Sequence, residues 1–257
     1  MAIVGVALVA LAAAQTVSRF TVTRDDTELI ISNLAQAADG ARSIGNNANC
    51  VEGQRLTIVY GPDPGHVETR VEDAVITSSL AVVSTPVDAE AEEGQDTLEL
   101  TDVQVVFNRP GCIEESTPVE DPAVTLVQGR TTVLGTRFFL DRDEDVGVMD
   151  GPISLTREAE VDGEAPLTAS STAMTFAVGE QRATLTGDVQ VTSEERVTTG
   201  ETLTLDEEAG TAVLTGSPAR SMRGEDVLEG SRLLYYLDSD DVVVLGNVSG
   251  ELEVELD

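Results

Sequence analysis

Side chains able to do chemistry are few in this sequence, and most stand alone. His66 is the single histidine and lies in the turn Pro64-Gly65-His66. A catalytic histidine works with a nucleophile and an orienting carboxylate, and a metal-bound one with further ligands at set spacings. Neither pattern surrounds His66, so it reads as a surface turn residue. Asp141, Asp143, Asp145 and Gly147 have the alternation of a calcium loop. An EF-hand needs Gly at the sixth position and Glu at the twelfth, where this chain has Val146 and Pro152. That segment and Asp238-Ser239-Asp240-Asp241 read as acidic turns, so no metal and no cofactor is expected. Nucleophile elbows and phosphate-cradling loops are absent, and the chain is not expected to be an enzyme. Cys50 and Cys112 remain. They lack CxxC or Cys/His metal spacing and are expected to form one disulfide, with two unrelated buried thiols as the alternative. The bridge closes a loop of about 60 residues, for which loop entropy gives roughly 4 kcal/mol less any strain.

Charge narrows the partners. Of 257 residues 47 are acidic and 15 basic, a net charge of -32, and every basic residue is Arg. Such a surface repels nucleic-acid backbones and anionic membranes, so nucleic acid is excluded as a partner. Apolar content of 41% supports a core, and 3% aromatics without Trp make that core aliphatic. Residues 2–14 form a small, apolar run ending in Ala12-Ala13-Ala14. The run suits a cleaved signal peptide over 1–14 and is too short to span a bilayer. It departs from the usual pattern in having no Lys or Arg before it, and an uncleaved anchor is the alternative. Export agrees with the expected disulfide.

The elements behind these residues read as strands. From residue 19 onward apolar residues alternate between Gly, Asp and Pro turns, and no long 3.6-period stretch follows the leader. Residues 34–38 have the composition of a helical turn or two, 45–49 that of a loop, 86–94 that of an acidic surface loop, and 109–122 that of a Pro-rich surface excursion. One pattern then recurs. Gly135 leads to Phe138 and Leu140, Ser171 to Met174 and Phe176, Gly200 to Leu203 and Leu205, and Gly230 to Leu233 and Tyr235. Eleven residues after each unit's second apolar residue stand Gly151, Gly187, Gly216 and Gly246. A degenerate further copy begins at Gly53. Repeats of about 30 residues are stacked units, each too small to bury its own apolar face. Each unit is expected to hold two strands, the second ending at the repeated Gly. Met149, Leu185, Leu214 and Val244 lie two residues before that Gly, and Ile153, Val189, Pro218 and Val248 two after it. Period-two spacing sends all of these to one face. Stacking gives an elongated, two-walled sheet, with the glycines at bends or bulges between the walls. Residues 15–130 form its less regular part and 131–257 the repeat region.

The strand pairs 203–205 with 212–218, and 233–237 with 243–248, resemble the OstA-like repeats of the LptA/LptC lipopolysaccharide-transport family. The resemblance covers about 131–251. It implies an all-β, elongated β-jellyroll, or β-taco, in the periplasm, whose apolar groove carries lipid acyl chains between membranes. Groove candidates are Phe138, Leu140, Met149, Met174, Phe176, Leu185, Leu203, Leu205, Leu214, Leu233, Tyr235 and Val244. The resemblance also implies joining to other envelope jellyrolls, or head to tail to itself, through edge strands, with 251–256 as the final strand. A structural scaffold of the envelope with a filled interior is the competing reading. The net charge of -32 opposes an anionic headgroup, so a cargo of low negative charge is expected.

Overall fold

The structure, a computed structural model, describes residues 18–24, 27–36, 39–87, 96–109, 111–160, 165–177, 180, 182–237 and 242–251. The signal segment expected at 1–14, most of the acidic loop of 86–94, the turn at 238–241 and the chain after Glu251 lie outside these residues.

The chain is all-β. Two antiparallel walls share one apolar interior, and the alternation of apolar and polar residues decides which side of each strand faces it. The first wall runs β1 (Ser18–Arg24), β2 (Thr27–Asn33), β5 (Val67–Val71), β6 (Ala74–Ser78), β11 (Val124–Gln128) and β12 (Thr131–Gly135). The second runs β3 (Arg42–Val51), β4 (Gln54–Tyr60), β7 (Leu80–Pro86), β8 (Thr97–Thr101) and β13 (Arg137–Asp141). Six long strands then belong to both walls, one half in each. They are β14 (Val146–Arg157), β15 (Leu167–Ala177), β16 (Arg182–Ser193), β17 (Arg196–Asp206), β18 (Thr211–Arg223) and β19 (Asp226–Tyr236). At the far end β20 (Val242–Leu245) extends the second wall and β21 (Ser249–Glu251) the first.

The bends between half-strands form a crease, and the hairpin turns form an opposite rim. The ladders of the long strands shift register at Asp150/Ile153, Thr186/Val189 and Thr215/Ala219, where the repeated glycines stand. The second strand of a unit therefore does not end at its Gly. It bends there and continues in the other wall, because a bulge interrupts pairing for only a few residues. A Cβ on Gly151 would meet the Thr172 carbonyl, and Gly187 combines a φ of +81° with close approach to Thr172 Oγ1. In the shorter units Ser79 does the same work between β6 and β7. Its N–H donates to the buried Asp102 carboxylate at 2.6 Å, and that carboxylate also accepts the Ala123 N–H at 3.1 Å.

Several local expectations are corrected. Residues 45–49 belong to strand β3 rather than a loop. β3 pairs on one side only among the described residues, through a ladder shifted at Ile44/Asn47 and Asn47/Val51, and such an edge tolerates polar, Asn-rich sequence. Leu34, Ala35 and Gln36 are not helical, and 37–38 lie outside the described residues. The excursion over 109–122 contains β10 (Ile113–Pro118), which pairs with β9 (Val103–Phe107) in a separate hairpin. Phe107, Ile113, Val103 and Val105 of this hairpin pack on Leu56, Ile58, Tyr60 and Leu80, on the outer side of the second wall. The Tyr60 and Phe107 rings meet edge-on at 5.6 Å. The Cys50–Cys112 disulfide ties the hairpin to β3. This second apolar layer explains the unbroken apolar end of β4, where Ile58, Val59 and Tyr60 are all buried.

Candidate functional site

The candidate site is the interior, and register explains how the repeat builds it. One row of directly opposed residues crosses the second wall: Leu100, Phe138, Met149, Met174, Leu185, Leu203, Leu214, Leu233 and Val244. A second row runs Leu98, Leu140, Gly147, Phe176, Ala183, Leu205, Ala212, Tyr235 and Val242. All twelve groove candidates fall in these rows, eleven of them buried and Val244 partly so. From Leu140 to Tyr235 the second row alternates large and small residues. A Cβ on Gly147 would collide with the Phe138 ring, so the small positions make room for their large neighbours.

The first wall supplies the opposing surface, and the period-two spacing past each Gly points to part of it. Ile153 and Val189 face inward as expected, followed by Leu155 and Val191. Pro218 and Val248 do not. Pro218 is exposed and Ala219 takes the inward place, because four residue steps of β18 face two of β19 at the crease, where three of β14 face two of β15 at Gly151. The extra residue reverses the alternation. Val248 lies in the break between β20 and β21 and is 58% exposed.

Sequence reasoning missed a row of mixed polarity on the first wall. Leu126, Val133, Leu155, Ala169, Val191, Thr198 and Ser221 stand in register across it. The row thus turns polar towards the β21 end. Tyr235 on the second wall donates its hydroxyl proton to Thr198 Oγ1, which lies 3.2 Å from Ser221 Oγ. The signal for Thr198 and Ser221 was their spacing from crease residues, hidden because a strand full of Thr and Ser shows no apolar alternation.

The interior is closely packed. The buried residues of both walls form one continuous cluster. Beside Met174 and Phe176 lies a cavity of about 20 Å³, room for about one water. At that cavity an acyl chain enters only if the walls part. The remaining singled-out residues are peripheral. His66 stays in its surface turn, 3.8 Å from Asp63. No cluster of metal-ligating side chains occurs among the described residues. Acidic turns line the rim from both walls, including Asp143, Glu144, Glu194, Glu195 and Glu225. The Asp206 carboxyl is held below its ordinary value, first by the Ala209 backbone N–H and then by Arg182. On the outer face, Glu99 raises Arg137 further above its already high value.

No curated protein matches the sequence. A solved structure, LptH, the LptA homologous periplasmic component of the lipopolysaccharide transport device from Pseudomonas aeruginosa, aligns with a TM-score of 0.39 and 14% identity, covering 48% of this chain and 95% of that one. Residues 122–241 match the family model described as LptA/(LptD N-terminal domain) LPS transport protein. That span runs from the start of β11 to the end of β19 and holds most of the two interior rows. The family is one of transport proteins, in agreement with a chain expected to have no enzymatic role. Over residues 122–241 the chain is similar to the LptA/LptD N-terminal domain family of lipopolysaccharide-transport proteins.

Proposed function

We propose that this is an exported, periplasmic protein of envelope lipid transport, which takes acyl chains between its two walls and passes them along the stack. The observation that carries this reading is the pair of apolar rows running unbroken across the second wall from β8 to β20. The ends of the stack are suited to continuing it. Among the described residues β1 and β3 at one end, and β20 and β21 at the other, pair on one side only. Edge strands of this kind accept a further strand, from another envelope jellyroll or from a second copy of this chain. The cargo is a lipid of low negative charge, since a surface of net charge -32 repels an anionic headgroup.

The packed interior favours a second reading, a rigid envelope scaffold with a permanently filled core. Titration of the full chain with a fluorescent acyl probe separates the two. Saturable binding, reduced by Leu203→Arg or Leu233→Arg in a protein that keeps its β circular dichroism, supports transport. A stable fold without probe binding supports the scaffold. Lipid extracted from the purified protein tests the cargo, and stoichiometric lipopolysaccharide in the presence of a chelator overturns the low-charge assignment.

A further inference from the structure

One polar contact joins the two walls at the rim, directly beside the small cavity, and none of its residues belongs to the repeat pattern. On the first wall Arg157 ends the inward series Ile153, Leu155, Arg157 and is 4% exposed. Thr131 lies opposite it in register on β12 and is also buried. On the second wall Glu207 follows Leu203 and Leu205 in the inward series. Arg157 Nε lies 3.2 Å from each Glu207 carboxylate oxygen, and Thr131 Oγ1 donates to Oε1 at 2.6 Å. Arg157 Nη1 donates to the Leu237 carbonyl at 2.8 Å. Glu207 also lines the cavity, with Met174, Phe176, Leu205, Leu126 and Val133 behind it.

As an adhesive between walls this is a poor choice. Burying an ion pair costs desolvation that a well-packed apolar pair avoids. As a seat for a ligand it is well formed. The Arg157 Nε–H and the Thr131 hydroxyl hold a carboxylate at the rim, and an apolar interior begins immediately beneath. We infer that Arg157 and Thr131 form a headgroup site for a single-chain lipid with an oxyanion head, and that Glu207 occupies this site as an internal stand-in when no lipid is bound. The inference rests on the lipid-binding reading above. The incoming head replaces the Glu207 carboxylate on Arg157, its tail follows into the space beside Met174 and Phe176, and the walls lose the Glu207 tie at the moment the tail enters. Arg pairs with carboxylate and phosphate oxygens alike, so fatty acids and alkyl phosphates are both candidate sources. A fatty acid carries the smaller charge into an acidic rim.

The test uses the full chain and a dansyl-labelled undecanoic acid, with its neutral methyl ester for comparison and dodecyl phosphate as a competitor. The wild type is expected to bind the acid more tightly than the ester. Glu207→Gln removes the charged stand-in and tightens acid binding on the order of tenfold, the size of one charge-assisted hydrogen bond, with little effect on the ester. Arg157→Gln erases the preference for acid while ester binding persists. Arg157→Lys, which keeps the charge and loses the Nε and Nη1 contacts, and Thr131→Ala reduce the preference in part, and they carry the test if Arg157→Gln fails to fold. Arg137→Gln, at an ion pair outside the rim, leaves every value unchanged. Displacement by dodecyl phosphate at lower concentration than by dodecanoate assigns the site to phosphate heads, and the reverse order to carboxylates. Equal acid and ester affinities that no variant alters overturn the headgroup site and leave the lipid-binding reading intact. Absence of binding by either probe to any form overturns both.

Discussion

Asp206 closes the strand before the turn that carries Glu207, and its carboxylate holds that turn's geometry. It accepts the Ala209 N–H at 2.8 Å and a hydrogen bond from Arg182 at 3.0 Å, which is why its pKa is lowered. A lowered carboxyl contributes stability that is present above the ordinary aspartate value and lost as pH falls through the lowered one. Asp206→Asn is therefore expected to be less stable than wild type at neutral pH, with the difference vanishing as the medium is acidified past that range. Urea midpoints measured across pH follow this directly, and a constant difference would remove Asp206 from the account. At this scale the apolar site residues were legible because Φ-x-Φ spacing names the inward side chains of any strand. The rim contact was not legible. Arg157 is separated from Glu207 by 50 residues and from Leu237 by 80, and an Arg after Thr156 looks like any solvated strand end.

The crease sets the geometry of each long strand. Gly187 stands at a φ of +81°, and a methyl group there meets Thr172 Oγ1, which donates to the Thr186 carbonyl at 2.9 Å. Gly187→Ala is expected to destabilise the protein by about 1–3 kcal/mol, combining left-handed strain with a displaced hydrogen bond. Thermal unfolding of the variant reads this out, and an unchanged Tm would mean that the bulge relaxes freely. The fixed distance from apolar pair to Gly was visible in the sequence, as was the role of Gly as a bend. That the strand continues beyond the bend was not, because residues after Gly216 lose the expected alternation through one extra residue. The hairpin of β9 and β10 was hidden for a different reason. Its strands carry exposed Glu114, Glu115 and Ser116, and its burial depends on a surface of β4 and β7 reached only through tertiary packing and the Cys50–Cys112 bridge.

Over the whole molecule, a net charge of -32 is spread on a narrow body with acidic turns along the rim from both walls. Like charges so placed repel in the folded state more than in an expanded chain, and salt screens them over about 10 Å at 0.1 M. Raising sodium chloride from low concentration to about 0.5 M is expected to lift Tm by on the order of 5 °C. A Tm that falls or stays level in calorimetry would show that repulsion contributes little. The same field disfavours multiply charged heads near the rim, which is why the candidate ligand of Arg157 carries a small charge.

By itself the sequence determined the fold class, the stacking of repeats, the glycine bends and the apolar rows of one wall, since each follows from local periodicity and spacing. It also set the charge on which the proposed low-charge cargo rests. Tertiary structure alone decided that the interior is packed, that the opposing wall turns polar at Thr198 and Ser221, and that Arg157 meets Glu207 across the rim. Those features arise where two walls cross, and the distance between walls is fixed by side chains from strands far apart in the chain, which no local pattern records.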